Sequence, residues 1–300
     1  ELNTQEEEEA EEEAAIEELN TQEEEETTSS SSGEEESEGA TEGRVQNVQQ
    51  VAQKTLRKPN AQITQKALRI PNTQTTQNDL PDFDVITTDS DTASSQYVSY
   101  ACQFDNNWSA ANHPVMYPGD SAQWSPHVLA SHSDKYTMWS KGSMSSDGVE
   151  MVAEMGDTSI LEAELDATKE VGCVVIGRGM LNSETQSQVF DNVVMGPAYH
   201  FMSTITMIVP SPDWYSGFYD VNFVNEAKGA WYEKVVISTY PWDAGTEDGD
   251  TYSTENSATE PQEFISRFGP STVPSNGVFL NGDRNDVLPV AMWTCDLRVW

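Results

Sequence analysis

From Tyr97 onward the chain alternates apolar and polar positions in short runs, broken by glycine, proline and asparagine. The run Y-V-S-Y-A-C-Q-F, opening at Tyr97, mixes aromatic and aliphatic residues with small ones and predicts a first strand. Segments at Val171–Gly177, Phe201–Val209, Phe218–Val224, Tyr232–Tyr240, Val278–Leu280 and Val287–Trp300 predict further strands, being rich in β-branched and aromatic residues. Two stretches have helical spacing instead, Val149–Met155 and Ser159–Lys169. Ser159, three residues before Glu162, is the candidate N-cap of the second. Many strands, turn signals between them and two short helices predict a mainly β, antiparallel β-sandwich. All eight tryptophans lie beyond Gln96, in about 200 residues, enough to bury a sizeable core.

Two of these runs stop abruptly at proline and then present an aspartate beside a tryptophan. The first is M-I-V-P-S-P-D-W-Y-S-G, Met207–Gly217, and the second is Y-P-W-D-A-G-T-E-D-G, Tyr240–Gly249. Pro210 and Pro212 fix φ and withhold two donors, so strand pairing is expected to end there and leave Asp213 in a tight turn. Trp214 and Trp242 are costly to leave in water and are expected to pack on the body of the domain, holding each carboxylate rigidly. Asp243, Glu247 and Asp248 then share a loop with Gly245 and Gly249. Acidic side chains on bent backbone suit a hard cation such as calcium, which takes six to eight oxygen ligands. Spacing alone also fits Asx-turn closers beside solvated acids.

Before Gln96 the alternation disappears. Residues 1–43 hold about 19 of the 51 acidic residues and no Lys or Arg, and the literal repeat E-L-N-T-Q-E-E-E-E occurs at Glu1–Glu9 and again at Glu18–Glu26. Like charges at that density repel, and so few apolar residues form no core, so 1–43 reads as a disordered tail. Residues 44–95 begin basic and Gln-rich, with a twelve-residue repeat at Gln53–Thr64 and Gln65–Thr76, and end polar and acidic. One leucine and one proline per unit are too little to stack as a solenoid, so 44–95 reads as a disordered linker. The folded domain is expected at 96–300.

A net charge of −36, with 15 Lys and Arg in the whole chain, argues against a nucleic-acid partner. There is no run of about 18 apolar residues to cross a membrane as a helix. The chain opens on Glu1 rather than Met, which fits a fragment or a processed form, so the absence of a visible leader decides nothing. Cys102 and Cys295 fall in the first and last predicted strands; one disulfide, with Cys173 a buried thiol, and three free thiols are both open. His113, His127, His132 and His200 are scattered, and the two beside prolines suit packing or turn-shaping better than ligation. With no G-x-S-x-G, no phosphate loop and no C-x-x-C, hydrolase, nucleotide and zinc chemistry lack a signature. A tryptophan-rich rim could stack sugars. Asn107-Trp108-Ser109 is a glycosylation acceptor in a secreted chain.

P-S-P-D-W followed by Y-P-W-D-A-G-T-E-D-G resembles the signature pair of the spondin N-terminal domain family, the F-spondin and mindin type. Trp108–Ser109, Tyr117–Pro118, A-Q-W-S-P-H at 122–127, Ser131–His132, Met138–Trp139 and Ala153–Glu154 with Gly156 continue the resemblance, which covers about Tyr97 to Trp300. It implies a C2-like β-sandwich with one bound calcium, in secreted or cell-surface adhesion proteins. The implied ligands are Asp213, Asp243 and, where the family pattern T-D-S-G reads T-E-D-G here, Glu247, with Asp248 beside it. A longer Glu side chain can still ligate from a loop set slightly further back. The resulting expectation is a secreted, non-enzymatic, calcium-binding adhesion or recognition module. Its expected partners are an extracellular matrix or cell-surface protein or glycan. The alternative is calcium-dependent binding of an anionic lipid surface or carbohydrate.

Overall fold

A computed structural model describes residues 82–178, 187–282 and 285–298, whose strands form two antiparallel sheets packed as a sandwich. One sheet runs β1 (Asp84–Ala93), β10 (Ala230–Thr239), β13 (Ala291–Arg298), β2 (Val98–Asn106) and β6 (Ser187–Met195), with the short β9 (Val224–Asn225) also on β10. The other runs β12 (Ser266–Arg267), β11 (Pro241–Asp243), β8 (Trp214–Asn222), β7 (Phe201–Val209), β4 (Val128–His132) and β5 (Val171–Ile176), with β3 (Gln123–Trp124) on β7. Between the sheets, Trp293 of β13 meets Phe218 of β8 with ring centroids 5.9 Å apart, and Phe104 lies 5.3 Å from Trp293.

Two helices, α1 (Asp147–Met155) and α2 (Ser159–Asp166), lay Val149, Val152, Leu161 and Leu165 against Ile205, Tyr215 and Trp242 of the second sheet. Ser146 caps α1 by accepting from the Val149 N–H (3.3 Å), and Gly156 ends it at φ +68°. The second N-cap is Thr158, not Ser159, whose N–H is instead taken by Asp157 (2.9 Å).

The expected strands at Phe201–Val209, Tyr232–Tyr240 and Val171–Gly177 are present within a residue or two. Val278–Leu280 is no strand and contributes only a single bridge, Leu280 to Val287. The boundary at residue 96 is corrected. Residues 84–93, assigned to the linker, form β1 and pair with β10 from Asp84↔Ser238 to Ala93↔Ala230. The segment is hydroxyl-rich and half-buried, yet it covers an otherwise bare edge and is tied there by charge. Lys141 reaches Asp82 (3.2 Å), Lys228 reaches Asp89 (2.8 Å), and Tyr240 donates to Asp84 (2.9 Å). Readings made for residues 1–81 lie outside the described residues.

Cys102 and Cys295 face each other in the β2–β13 register and form a disulfide, while Cys173 is half-buried rather than a core thiol. His127 is enclosed by the rings of Phe104, Phe190 and Trp293. The tryptophan-rich rim is also corrected: Trp108, Trp124, Trp139, Trp214, Trp231, Trp242 and Trp293 are all buried, so they serve as core and present no stacking face to a sugar.

Candidate metal centre

β7 ends at Val209, and the Pro210–Pro212 turn is closed by Ser211, whose hydroxyl accepts from the Trp214 N–H (3.1 Å). β8 then begins at once with Trp214, so Asp213 sits at the strand's threshold with its flanking tryptophan fully buried. β11 pairs with β8 so that Asp243 lies opposite Trp214, and the Ala244 N–H reaches the Asp213 carbonyl (3.3 Å). Trp242 is buried as expected, packing edge-on to Trp139 at 5.2 Å. Register therefore brings together two aspartates about thirty positions apart in the chain.

Their oxygens are treated differently. Asp213 is 0% exposed, and its Oδ2 accepts from the Thr246 N–H (2.8 Å), the Thr246 hydroxyl (3.3 Å) and the Glu247 N–H (3.2 Å). Its Oδ1 is buried with no hydrogen-bond partner among the described residues. Asp243 closes an Asx-turn, Oδ1 accepting from the Gly245 N–H (2.8 Å). Gly245 itself has φ +74°, and a Cβ there would fall 2.5 Å from the Glu263 carbonyl oxygen, so only glycine suits the turn. Glu247 is buried, but its Oε2 accepts the Ser257 N–H across the Glu247–Ala258 bridge. Asp248 is exposed and takes the Thr259 hydroxyl (3.0 Å).

Burial raises the Asp213 pKa, and burial together with the charge of Asp213 pushes Asp243 up to about 7. Glu154 of α1, which spacing did not single out as a site residue, joins this field. Burial raises its pKa, and the charges of Glu247, Glu150 and Asp213 add to that. The Tyr215 phenol, buried without a hydrogen-bond partner among the described residues, is pushed well above its usual range by burial and by both aspartates. The ion pairs among the described residues, His132–Asp220, Lys141–Asp82, Lys228–Asp89 and Lys234–Asp296, all lie elsewhere.

The geometry thus unites Asp213 and Asp243, while Glu247 contributes its backbone and holds its carboxylate on Ser257. Among the described residues no three His, Cys, Asp or Glu side chains already converge as a closed ligand set. What fits a hard cation is the donor chemistry: a buried carboxylate oxygen with no hydrogen to accept, beside a second carboxylate.

A family model described as Spondin_N matches residues 98–289. Spondin-1 of Rattus norvegicus is 36% identical over 174 residues, which cover 55% of this chain and 21% of that protein. Spondin-2 of Rattus norvegicus is 32% identical over 194 residues, 60% of this chain and 56% of that protein. Spondin-2 of Homo sapiens is 31% identical over 194 residues, with the same coverage. The chain spans about a fifth of the Spondin-1 relatives and just over half of the Spondin-2 relatives.

Proposed function

Because the chain belongs to the Spondin_N family, we propose that its sandwich is a secreted, extracellular recognition module that holds calcium where β8 meets β11. The observation that carries this reading is Asp213 Oδ1, a fully buried carboxylate oxygen left without a donor and without a cation among the described ion pairs. Asp213 through Oδ1 and Asp243 through Oδ2 are the oxygens offered to the ion. Glu247 joins them only if its carboxylate leaves the Ser257 N–H, and Asp248 stands by at the surface. A bound calcium would supply the positive charge that this acid pair lacks and would lock the 213 turn to the 243–248 loop. The Cys102–Cys295 disulfide suits an oxidising compartment, in line with a matrix or cell-surface protein or glycan as partner.

The module is read as non-enzymatic. A Ser203–His132–Asp220 grouping exists, but Asp220 approaches the same Nε2 (3.6 Å) that meets Ser203 (2.8 Å), while Nδ1 faces the Ser133 carbonyl. An acid that orients the imidazole belongs on the other nitrogen, and Ser203 is buried out of a substrate's reach.

Calcium titration of the full chain with thermal melting tests the proposal. At about 100 times Kd the ion should stabilise the fold by about 2.7 kcal/mol, a rise of several degrees. Asp213→Asn with Asp243→Asn should remove the response; a melting curve that does not move across millimolar calcium overturns the reading. A second reading, calcium-bridged binding to anionic lipid, is favoured by Phe264, which is 64% exposed and follows Glu263, whose N–H is bonded to the Gly245 carbonyl. Sedimentation with phosphatidylserine vesicles, with and without calcium, separates the two.

A further inference from the structure

Five lysines fall among the described residues, and three of them are ion-paired: Lys141 with Asp82, Lys228 with Asp89 and Lys234 with Asp296. The other two, Lys135 and Lys169, form no ion pair with another described residue, and both line one surface cavity of about 400 Å³. In so acidic a chain, two unpaired ammonium groups at one cavity stand out from the general pattern.

The cavity is firmly built. Its walls are the end of β4, the turn before β5 and the turn between β6 and β7, joined by the Ser133 N–H to the Glu170 carbonyl (2.8 Å). Tyr199 packs on Gly172 of β5, so close that a Cβ there would fall 2.6 Å from its ring, and its hydroxyl donates to the Lys169 carbonyl (3.1 Å). His200 holds the turn through Nδ1 and the Pro197 carbonyl (3.0 Å). Glu170 takes the Ser133 hydroxyl on Oε2 (2.6 Å), which leaves its other oxygen to a ligand.

These groups match the parts of one sugar. Lys135 and Lys169 suit a single carboxylate or sulfate, Asp134 and Glu170 accept from ring hydroxyls, and Tyr199 with Pro197 offers apolar surface to a C–H face. The volume falls within the range of small-ligand pockets. The chain's charge of −36 repels extended polyanions, whereas attraction within the cavity acts inside the Debye length of about 8 Å. We propose that this cavity binds one acidic sugar unit, carboxylated or sulfated, at a site built from elements other than β8 and β11 and independent of calcium.

The test is calorimetric titration of the full chain, in EDTA and again in calcium. The probes are N-acetylneuraminic acid, N-acetylglucosamine 6-sulfate, neutral N-acetylglucosamine and sodium sulfate. At least one acidic sugar should bind about tenfold tighter than both the neutral sugar and inorganic sulfate, equally in either buffer. Lys135→Gln with Lys169→Gln should weaken it about tenfold, whereas Lys228→Gln with Lys234→Gln should leave it unchanged. Lys135, Lys169 and Lys228 are exposed and Lys234 is half-buried, so the melting temperature of each variant checks folding. The proposal is overturned if neither acidic sugar binds, if the neutral sugar or sulfate binds as tightly, if EDTA abolishes binding, or if the folded Lys135/Lys169 variant binds like the wild type.

Discussion

The aspartates in and just before β1 and those where β8 meets β11 have the same chemistry and opposite treatment. Asp82 and Asp89 each meet a lysine, Asp84 receives the Tyr240 hydroxyl, and all three sit at an edge within reach of water. Asp213 and Asp243 are drawn inward, receive only N–H and hydroxyl donors, and face each other, Glu247 and Glu154 with no cationic side chain among the described residues paired to them. A paired edge aspartate closes its own accounts with the fold, and its role ends there. A buried acid beside a second carboxylate carries an electrostatic penalty, which protonation or a bound cation relieves.

The strongest way to break this comparison is to cut the covalent clasp of the sheet that carries the paired acids. The Cys102–Cys295 link spans 193 residues, and on chain-entropy grounds its loss should cost about 5 kcal/mol. Cys102→Ala with Cys295→Ala should therefore lower the melting temperature steeply, while calcium still raises it, because the acid pair belongs to the other sheet. Loss of the calcium response in a variant that remains folded would show that the two regions are not separable.

Neutralising each set in turn sharpens the contrast. A raised carboxylate pKa means that the ionised form is disfavoured in the folded state. The penalty is full above pH 7, shrinks as pH falls through about 7, and is gone below the unfolded value near 4. Asp213→Asn with Asp243→Asn should accordingly stabilise the calcium-free chain at pH 8 by about 2–3 kcal/mol, and by less at pH 5. Asp84→Asn should do the reverse and destabilise slightly, since it weakens the acceptor for Tyr240. Denaturant melts in EDTA at both pH values decide it; equal effects of the two substitutions would erase the distinction.

Protonation supplies a third handle, because burial pushes bases the other way. His127 and His113 are held down to about 3 and about 4 by burial, so their stabilising neutrality is intact above pH 6.5 and is eroded as pH falls toward those values. Acid thus weakens the core through the histidines while it relieves the Asp213–Asp243 pair, and the two slopes oppose each other in the wild type. His127→Phe, which keeps a ring among Phe104, Phe190 and Trp293, should remove about 2 kcal/mol of the loss between pH 7 and pH 5. Parallel pH curves for variant and wild type would contradict this.

How much of this could be read along the chain depends on where the physical signal lies. β7 announces itself because both its faces bury β-branched and aromatic residues, and β10 and β13 because buried apolar positions alternate with more exposed ones. β4, V-L-A-S-H, gives no clear strand signal although every residue is buried, since alanine, serine and histidine carry little strand preference and their burial comes from neighbours. β1 was hidden by its hydroxyls and acids, whose partners Lys141, Lys228 and Tyr240 lie far along the chain. Asp213 and Asp243 were legible as a pair because each stands beside a tryptophan that must be buried. Glu154 was not, being on a helix whose approach to the acid loop is a tertiary event. Nor does spacing show that Glu247 gives its carboxylate to Ser257, which a single bridge brings opposite.

The smallest predicted effect completes the comparison. Lys228 and Asp89 are 2.8 Å apart, but their side chains are 54% and 44% exposed, so water screens the pair and ordering two side chains offsets much of its attraction. Asp89→Asn should therefore change stability by less than about 1 kcal/mol, and the change should fade in 1 M salt, where the Debye length is about 3 Å. Acids of one kind would then differ severalfold in their influence on the same fold, according to burial and partner rather than identity. If Asp89→Asn instead matched the Asp213/Asp243 variant in size, or proved insensitive to salt, pairing at the edge would be structural in its own right. Paired edge acids and the acids at β8 and β11 would then no longer differ in what they do to the fold.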